Sequence, residues 1–227
     1  MFNILKNRIR KKRFNLIKRI ENKYKFIQKR TIFSKKIVKI SLGKKNKSKE
    51  FYIIKRYPGG GFFSNLIYIL KCLNLKNHGM HVLVDMQYFP NKYSHKKNIN
   101  DKKNVWEVYF NQLSNYKLSE VYQSKNVYFS PENIALSLND YNSSKLRLLY
   151  EKHIRINKSI LNIVKKFEKK NFKKNSKIIG VHFRGTDQKI TPNHFLPPTY
   201  YQIIEKIDNL IKNNNVKKIF LVTEQNN

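Results

Sequence analysis

Cysteine is nearly absent: Cys72 is the single one in 227 residues, which excludes an intrachain disulfide and a cysteine-built zinc site. With 7 glycines and 6 prolines, a collagen-like or loop-dominated chain is excluded as well. No apolar run approaches the roughly 20 residues of a bilayer-spanning helix. The best stretch, Phe62 to Leu75, is interrupted by Ser64, Asn65, Lys71 and Asn74. The basic N-terminus is followed by no clean apolar segment of the secretory type. The expectation is therefore a cytoplasmic chain, peripheral at most to the inner face of a membrane. Acidic residues are scarce too, 14 against 48 Lys and Arg.

What is present is enough apolar material for a core. Hydrophobic residues make up 40% and aromatics 13%, with 15 Phe and 14 Tyr, so wholesale disorder is excluded. The net charge of +34 suggests a polyanionic partner. It is unevenly spread: residues 1–50 hold 19 basic residues against Glu21 and Glu50, half of the net excess. The abundance of Lys, Asn, Ile, Tyr and Phe also matches AT-rich coding. No zinc finger, RNA-recognition signature or repeated basic-aromatic pattern accompanies the charge, so no specific nucleic acid is expected.

Residues 1–30 place Phe2, Leu5, Ile9, Leu16, Ile20, Tyr24 and Ile27 at helical spacing, with Lys and Arg opposite. Such a basic amphipathic helix suits an anionic membrane surface, a partner helix, or a solvated leader. Residues 41–49 read as a linker, so 1–50 is expected to be an N-terminal extension. A folded α/β domain is expected over 51–171. Within it, a strand from Phe51, the glycine turn Gly59-Gly60-Gly61, a helix from Phe62 and a strand over Met80–Asp85 make a βαβ unit. Residues 172–227 repeat the pattern: strand Lys177–Phe183, a polar loop, helix Thr199–Asn213, strand Lys218–Thr223. Two strands are few for a doubly wound domain, so this region reads as the first half of one, cut short at Asn227.

The densest local chemistry is Ile179-Gly180-Val181-His182-Phe183-Arg184-Gly185-Thr186-Asp187. His182 and Arg184 share one strand face, at the C-terminal strand end where open α/β sheets bind ligands. Arg184 suits a phosphate, since its planar fork donates bidentately, or it pairs with Asp187 and pins the loop. Gly59-Gly60-Gly61 precedes a helix whose first turn carries Ser64 and Asn65. Free N–H groups there suit an anion, but the Lys-Ser/Thr of a P-loop is missing, which speaks against a nucleoside triphosphatase. Trp106, with Tyr109 and Phe110, is a stacking platform for a sugar or part of the core. Asp85 ends a strand and is a candidate contact for an acceptor. Cys72 reads as core.

IGVHFRGTD, followed after a loop and helix by KIFLVTEQ, resembles the fucosyltransferase superfamily, above all α1,6-fucosyltransferases and bacterial nodulation-factor fucosyltransferases. GGGFFSNL is similar to their glycine-rich N-terminal motif, and HVLVDMQYF and NVWEVYFNQ to segments of bacterial members. The resemblance implies a GT-B-like fold of two facing Rossmann-like domains, the second incomplete here. It implies inverting, metal-independent transfer of fucose from GDP-fucose to a glycan acceptor, with no cofactor. Arg184 would then grip the β-phosphate, with His182, Gly185, Asp187, Thr223 and Glu224 around the donor and Gly60 and Gly61 approaching it. Asn65, Asp85 and Trp106 would lie on the acceptor side. Eukaryotic members carry a lysine just after the motif and an acidic residue four positions later. Here these are Gln188 and Pro192, so His194 stands as the candidate base, or as a loop histidine against Pro197 and Pro198. The alternative to catalysis is a basic nucleic-acid- or membrane-surface-binding protein, a degenerate fragment of such an enzyme.

Overall fold

The structure is a computed structural model. It describes residues 11, 15, 18–19, 22–32, 34–55, 61–76, 79–87, 89, 104–132, 143–172, 177–183 and 198–223. The chain forms two compact units, residues 1–161 and 162–227.

The first unit is mixed α/β. After a helix over residues 22–31 (α1) come β1 (Val38–Ile40), β2 (Lys45–Lys55), α2 (Phe62–Leu75), β3 (His81–Asp85), α3 (Val105–Tyr109), α4 (Leu118–Val121), β4 (Ser124–Phe129) and α5 (Ser143–His153). The sheet runs β1-β4-β2-β3. β2 is parallel to both β3 and β4, and β1 closes the edge antiparallel to β4. The expected βαβ unit is β2–α2–β3. Gly79, before β3, takes φ +83°, a left-handed conformation that glycine adopts without steric cost.

β2 explains the layering. Phe51, Tyr52, Ile53 and Ile54 are all fully buried, as a central strand covered on both faces must be. Period-two alternation divides them. Tyr52 and Ile54 join Tyr68, Ile69, Cys72 and Leu73 of α2. Phe51 and Ile53 join Ile27 of α1, Leu118 and Val121 of α4, and Val127 and Phe129 of β4. Two hydrophobic cores thus sandwich one sheet.

Two expectations for residues 1–50 are corrected. Residues 41–49 do not form a linker: β2 begins at Lys45. Leu42 N–H donates to Ser124 O and Lys45 N–H to Gln123 O, each at 3.0 Å. Gly43 lies so close that an added Cβ would sit 2.2 Å from Gln123 O, so glycine is required for the chain to hug the start of β4. The amphipathic face of residues 1–30 is also partly spent on the fold. Ile27 has no exposed surface, and Tyr24 packs on Phe89 at 4.9 Å between ring centroids. That part of the helix is a core element, not an extension. Residues 1–10 lie outside the described residues.

The second unit holds β5 (Ile178–Phe183), α7 (Tyr200–Asn214) and β6 (Lys218–Thr223), with most of α6 (Lys158–Asn171). β5 and β6 pair in parallel. α7 starts in a capping box: Thr199 Oγ1 accepts from Gln202 N–H, and the Gln202 side chain accepts from Thr199 N–H, which satisfies two of the orphan donors of a helix start. Phe220 of β6 packs between Phe167 and Phe172, at 5.7 and 5.5 Å. Ile219, Leu221 and Val222 are each about half exposed, between 47% and 56%. Among the described residues, no helix is long and apolar enough to cross a membrane.

Candidate functional site

Parallel strands bring their C-terminal ends to one edge, and Asp85 in the first unit and His182 and Thr223 in the second lie at or near such ends. In the first unit β2 ends at Lys55 and β3 at Asp85, and the two are direct register partners. The chain resumes among the described residues at Gly61, which opens α2. Gly61 is the N-cap of α2, offers no side-chain cap, and no acidic residue follows in the first turn. The positive end of the helix dipole is therefore uncompensated by the helix itself. Gly60, Arg184, Gly185, Asp187, His194 and Glu224 lie outside the described residues.

Beneath this edge lies a layer of buried polar groups that the sequence reading missed. Lys55 is 2% exposed. Its Nζ donates to Thr31 Oγ1 at 2.7 Å, faces Glu132 Oε2 at 3.6 Å, and lies over the Phe89 ring at 5.6 Å. Its backbone N–H donates to Ser130 Oγ at 2.9 Å, which also accepts from Tyr68 OH at 3.0 Å. Pro131 O also lies within hydrogen-bond reach of Tyr68 OH, whose single proton serves one of the two acceptors at a time. An ammonium this deep stays charged only where partners replace its water. Thr31, Glu132 and the face of Phe89 do so here. A lysine closing the apolar run Phe51–Ile54 was the available sequence signal. Its partners, 24 and 77 positions away, were not readable.

The acceptor-side candidates are structural. Asp85 is fully buried; Oδ1 accepts from Gln87 N–H at 2.9 Å and Oδ2 accepts from Tyr122 OH. A carboxylate so covered ties β3 to the end of α4 and has no surface to offer an acceptor. Trp106 is 2% exposed. Its Nε1–H donates to Asn111 O at 3.0 Å, and its ring meets Phe110 at 4.4 Å. The cavity beside it is about 10 Å³, scarcely a water's worth, so no sugar stacks there. Asn65, 2% exposed, donates from Nδ2 to Gly61 O at 2.9 Å and braces the turn entering α2. Asn104 Oδ1 accepts from Met86 N–H and Trp106 N–H, while its Nδ2 donates to Val84 O, fixing the exit of β3 against α3. Cys72 is core as expected; burial pushes its thiol up to about 12, so it is no nucleophile. Burial likewise raises the phenols of Tyr52 and Tyr68.

In the second unit, His182 is exposed near the end of β5. Its register partner is Val222, and Phe183 pairs with Thr223. The ends of the two motif strands therefore lie side by side and point the same way. His182 shares a sheet face with Gly180, Phe220 and Val222, because register partners point to the same side. Gly180, with nothing within 4 Å of an added Cβ, adds no bulk beside the imidazole, while Phe220 on the same face packs on Phe167 and Phe172. Among the described residues, no group of three or more His, Cys, Asp or Glu is placed to hold a metal ion. No protein-family model matches the chain, and neither does any curated protein.

Proposed function

We propose that this chain is a glycosyltransferase of the fucosyltransferase type, with a GT-B-like pairing of α/β domains, that uses GDP-fucose. The observation that supports it most is the adjacency at the end of the second sheet. His182 and Phe183, which lead into Arg184-Gly185-Thr186-Asp187, lie beside Val222 and Thr223, which lead into Glu224. Two segments about 40 residues apart in sequence thus converge at the strand ends where α/β sheets take nucleotides.

In this reading the acceptor hydroxyl oxygen bonds to the sugar C1 as the C1–O bond to the β-phosphate breaks. The hydroxyl proton passes to His194. Arg184 takes up the negative charge that develops on departing GDP. In the first unit, the uncapped α2 start at Gly61 supports a backbone approach to an anion. The outward cations Lys18, Arg19, Lys25, Lys29 and Arg30 support peripheral attachment to an anionic membrane.

Hydrogen exchange on the whole chain tests the assignment by place. GDP should slow exchange in Ile178–Phe183 and Lys218–Thr223, and UDP should do so far less. Protection confined to other segments, or none at saturating GDP, would remove the nucleotide reading.

A further inference from the structure

A second cavity, of about 650 Å³, opens at the opposite strand ends of the first unit, where α2 finishes and β3 begins. Volumes of this size are typical of small-molecule sites. Its floor is apolar, from Leu73, Met80, Val82 and Leu113. Its rim carries Ser114, Asn115, Tyr116, Glu120, His81 and Lys76.

Two of these rim groups are held in place by their neighbours. The Tyr116 ring is held edge-on by Phe51 at 5.0 Å and in a tilted contact by His81 at 4.8 Å. Lys49 Nζ lies 4.8 Å from its centroid and donates to its hydroxyl. Glu120 Oε1 accepts from Asn46 Nδ2 at 3.0 Å, and the same amide donates to Ser124 Oγ at 3.0 Å. Asn46 reaches them from a left-handed backbone, φ 46°, at the register shift between β2 and β4. Such irregularities re-aim side chains beside sites, and asparagine is among the few non-glycine residues that tolerate the left-handed region.

Charge narrows the ligand. Lys76 and Glu120 both line the cavity, so a ligand with net charge of either sign meets a like charge. Burial, then the cations Lys76, Lys152 and Arg155, lowers the pKa of His153, the remaining polar lining group, and favours its neutral form. Neutral donors and acceptors dominate the rest of the rim. A pyranose presents hydroxyls to Glu120, Asn115 and Ser114, and an apolar C–H face to Tyr116 and the floor.

We propose that this cavity is a binding site for a neutral sugar, one or two residues long, clamped between Tyr116 and Glu120. It stands apart from the transferase reading, which concerns other strand ends and the second unit.

Saturation-transfer NMR of the full chain tests it, with the methyl glycosides of glucose, galactose, mannose and fucose as probes and leucine and inorganic phosphate as competitors. At least one glycoside should receive saturation at millimolar concentration and shift the His81 ring signals. Y116A and E120A should each weaken it at least tenfold. Asn115→Ala changes an exposed residue outside the cores, so it should weaken binding about threefold with an unaltered melting temperature. Saturation of no glycoside, binding undiminished in all three variants, or displacement by leucine or phosphate would overturn the proposal.

Discussion

Replacing Lys55 by Met should destabilise the first unit by about 3 kcal/mol. The substitution keeps the length and apolar stem of the side chain and removes only the ammonium. The interactions that go with it include the 2.7 Å bond to Thr31 Oγ1, the 3.6 Å approach to Glu132 and the contact with Phe89. Thr31 is fully buried and would lose the donor its hydroxyl faces. Breaking a buried ion pair from one side costs about 3–5 kcal/mol. The Glu132 Oε2 that faces Lys55 is buried without a hydrogen bond of its own among the described residues, which raises the cost of losing the cation, while the 24% exposure of the side chain as a whole lowers it toward the bottom of that range. Removing the buried ammonium's own desolvation cost works in the same direction. The pair K55M and Glu132→Gln closes a cycle: the double variant should recover about 1–2 kcal/mol relative to additivity, as contacting charged groups do. Urea unfolding followed by the fluorescence of Trp106, the one tryptophan, reads this unit directly. A midpoint change equivalent to less than about 0.5 kcal/mol for K55M, or strict additivity in the double variant, would refute the view that this buried cluster braces the strand ends.

Gly43→Ala should cost about 1–3 kcal/mol in the same assay, since its Cβ would collide with Gln123 O; an unchanged midpoint would show that this turn can move. Cys72 should resist a thiol reagent such as DTNB in the native protein and react only at the rate of unfolding. Fast labelling would contradict its burial. The raised Cys72 pKa means the native state keeps the proton that the unfolded chain releases near 9. Stability should therefore hold below pH 9 and fall as pH rises toward about 12, whereas a flat profile would contradict the assignment. His153 has the opposite sign: its lowered pKa makes stability present above about 6.5 and lost as pH falls through the lower folded value, and His153→Asn should flatten that acid limb.

Two strands of the first unit's four-stranded sheet, β2 from Phe51 onward and β3, were legible because their signals are local, whereas β1, the start of β2 and β4 were not. The apolar run Phe51–Ile54, the helical spacing of Ile69, Leu70 and Leu73, and the apolar strand before Asp85 each state their element without help. β5, α7 and β6 were legible for the same reason. Residues 41–49 misled because Lys, Asn and Ser are turn and linker residues by composition. They become strand through bonds to residues 123–124, about 80 positions away, which no local window contains. Ile27 misled similarly: an apolar residue on a basic helix carries no mark of whether lipid or a sheet will cover it. Trp106 and Asp85 have the residue types of a sugar site, and only burial reveals that they serve the fold. The polar layer around Lys55 and the cavity at Tyr116 join residues from four or more elements, so only the folded chain brings them together.

In the proposed function a GDP-sugar is gripped by Arg184. Isothermal titration of GDP into the chain, with wild type and Arg184→Ala side by side, tests this most directly. Micromolar affinity, roughly −8 kcal/mol, is expected for wild type, with at least a tenfold loss in R184A, since the change strips a charged partner from the phosphate. Equal affinity in the two proteins, or no heat with wild type, would contradict it.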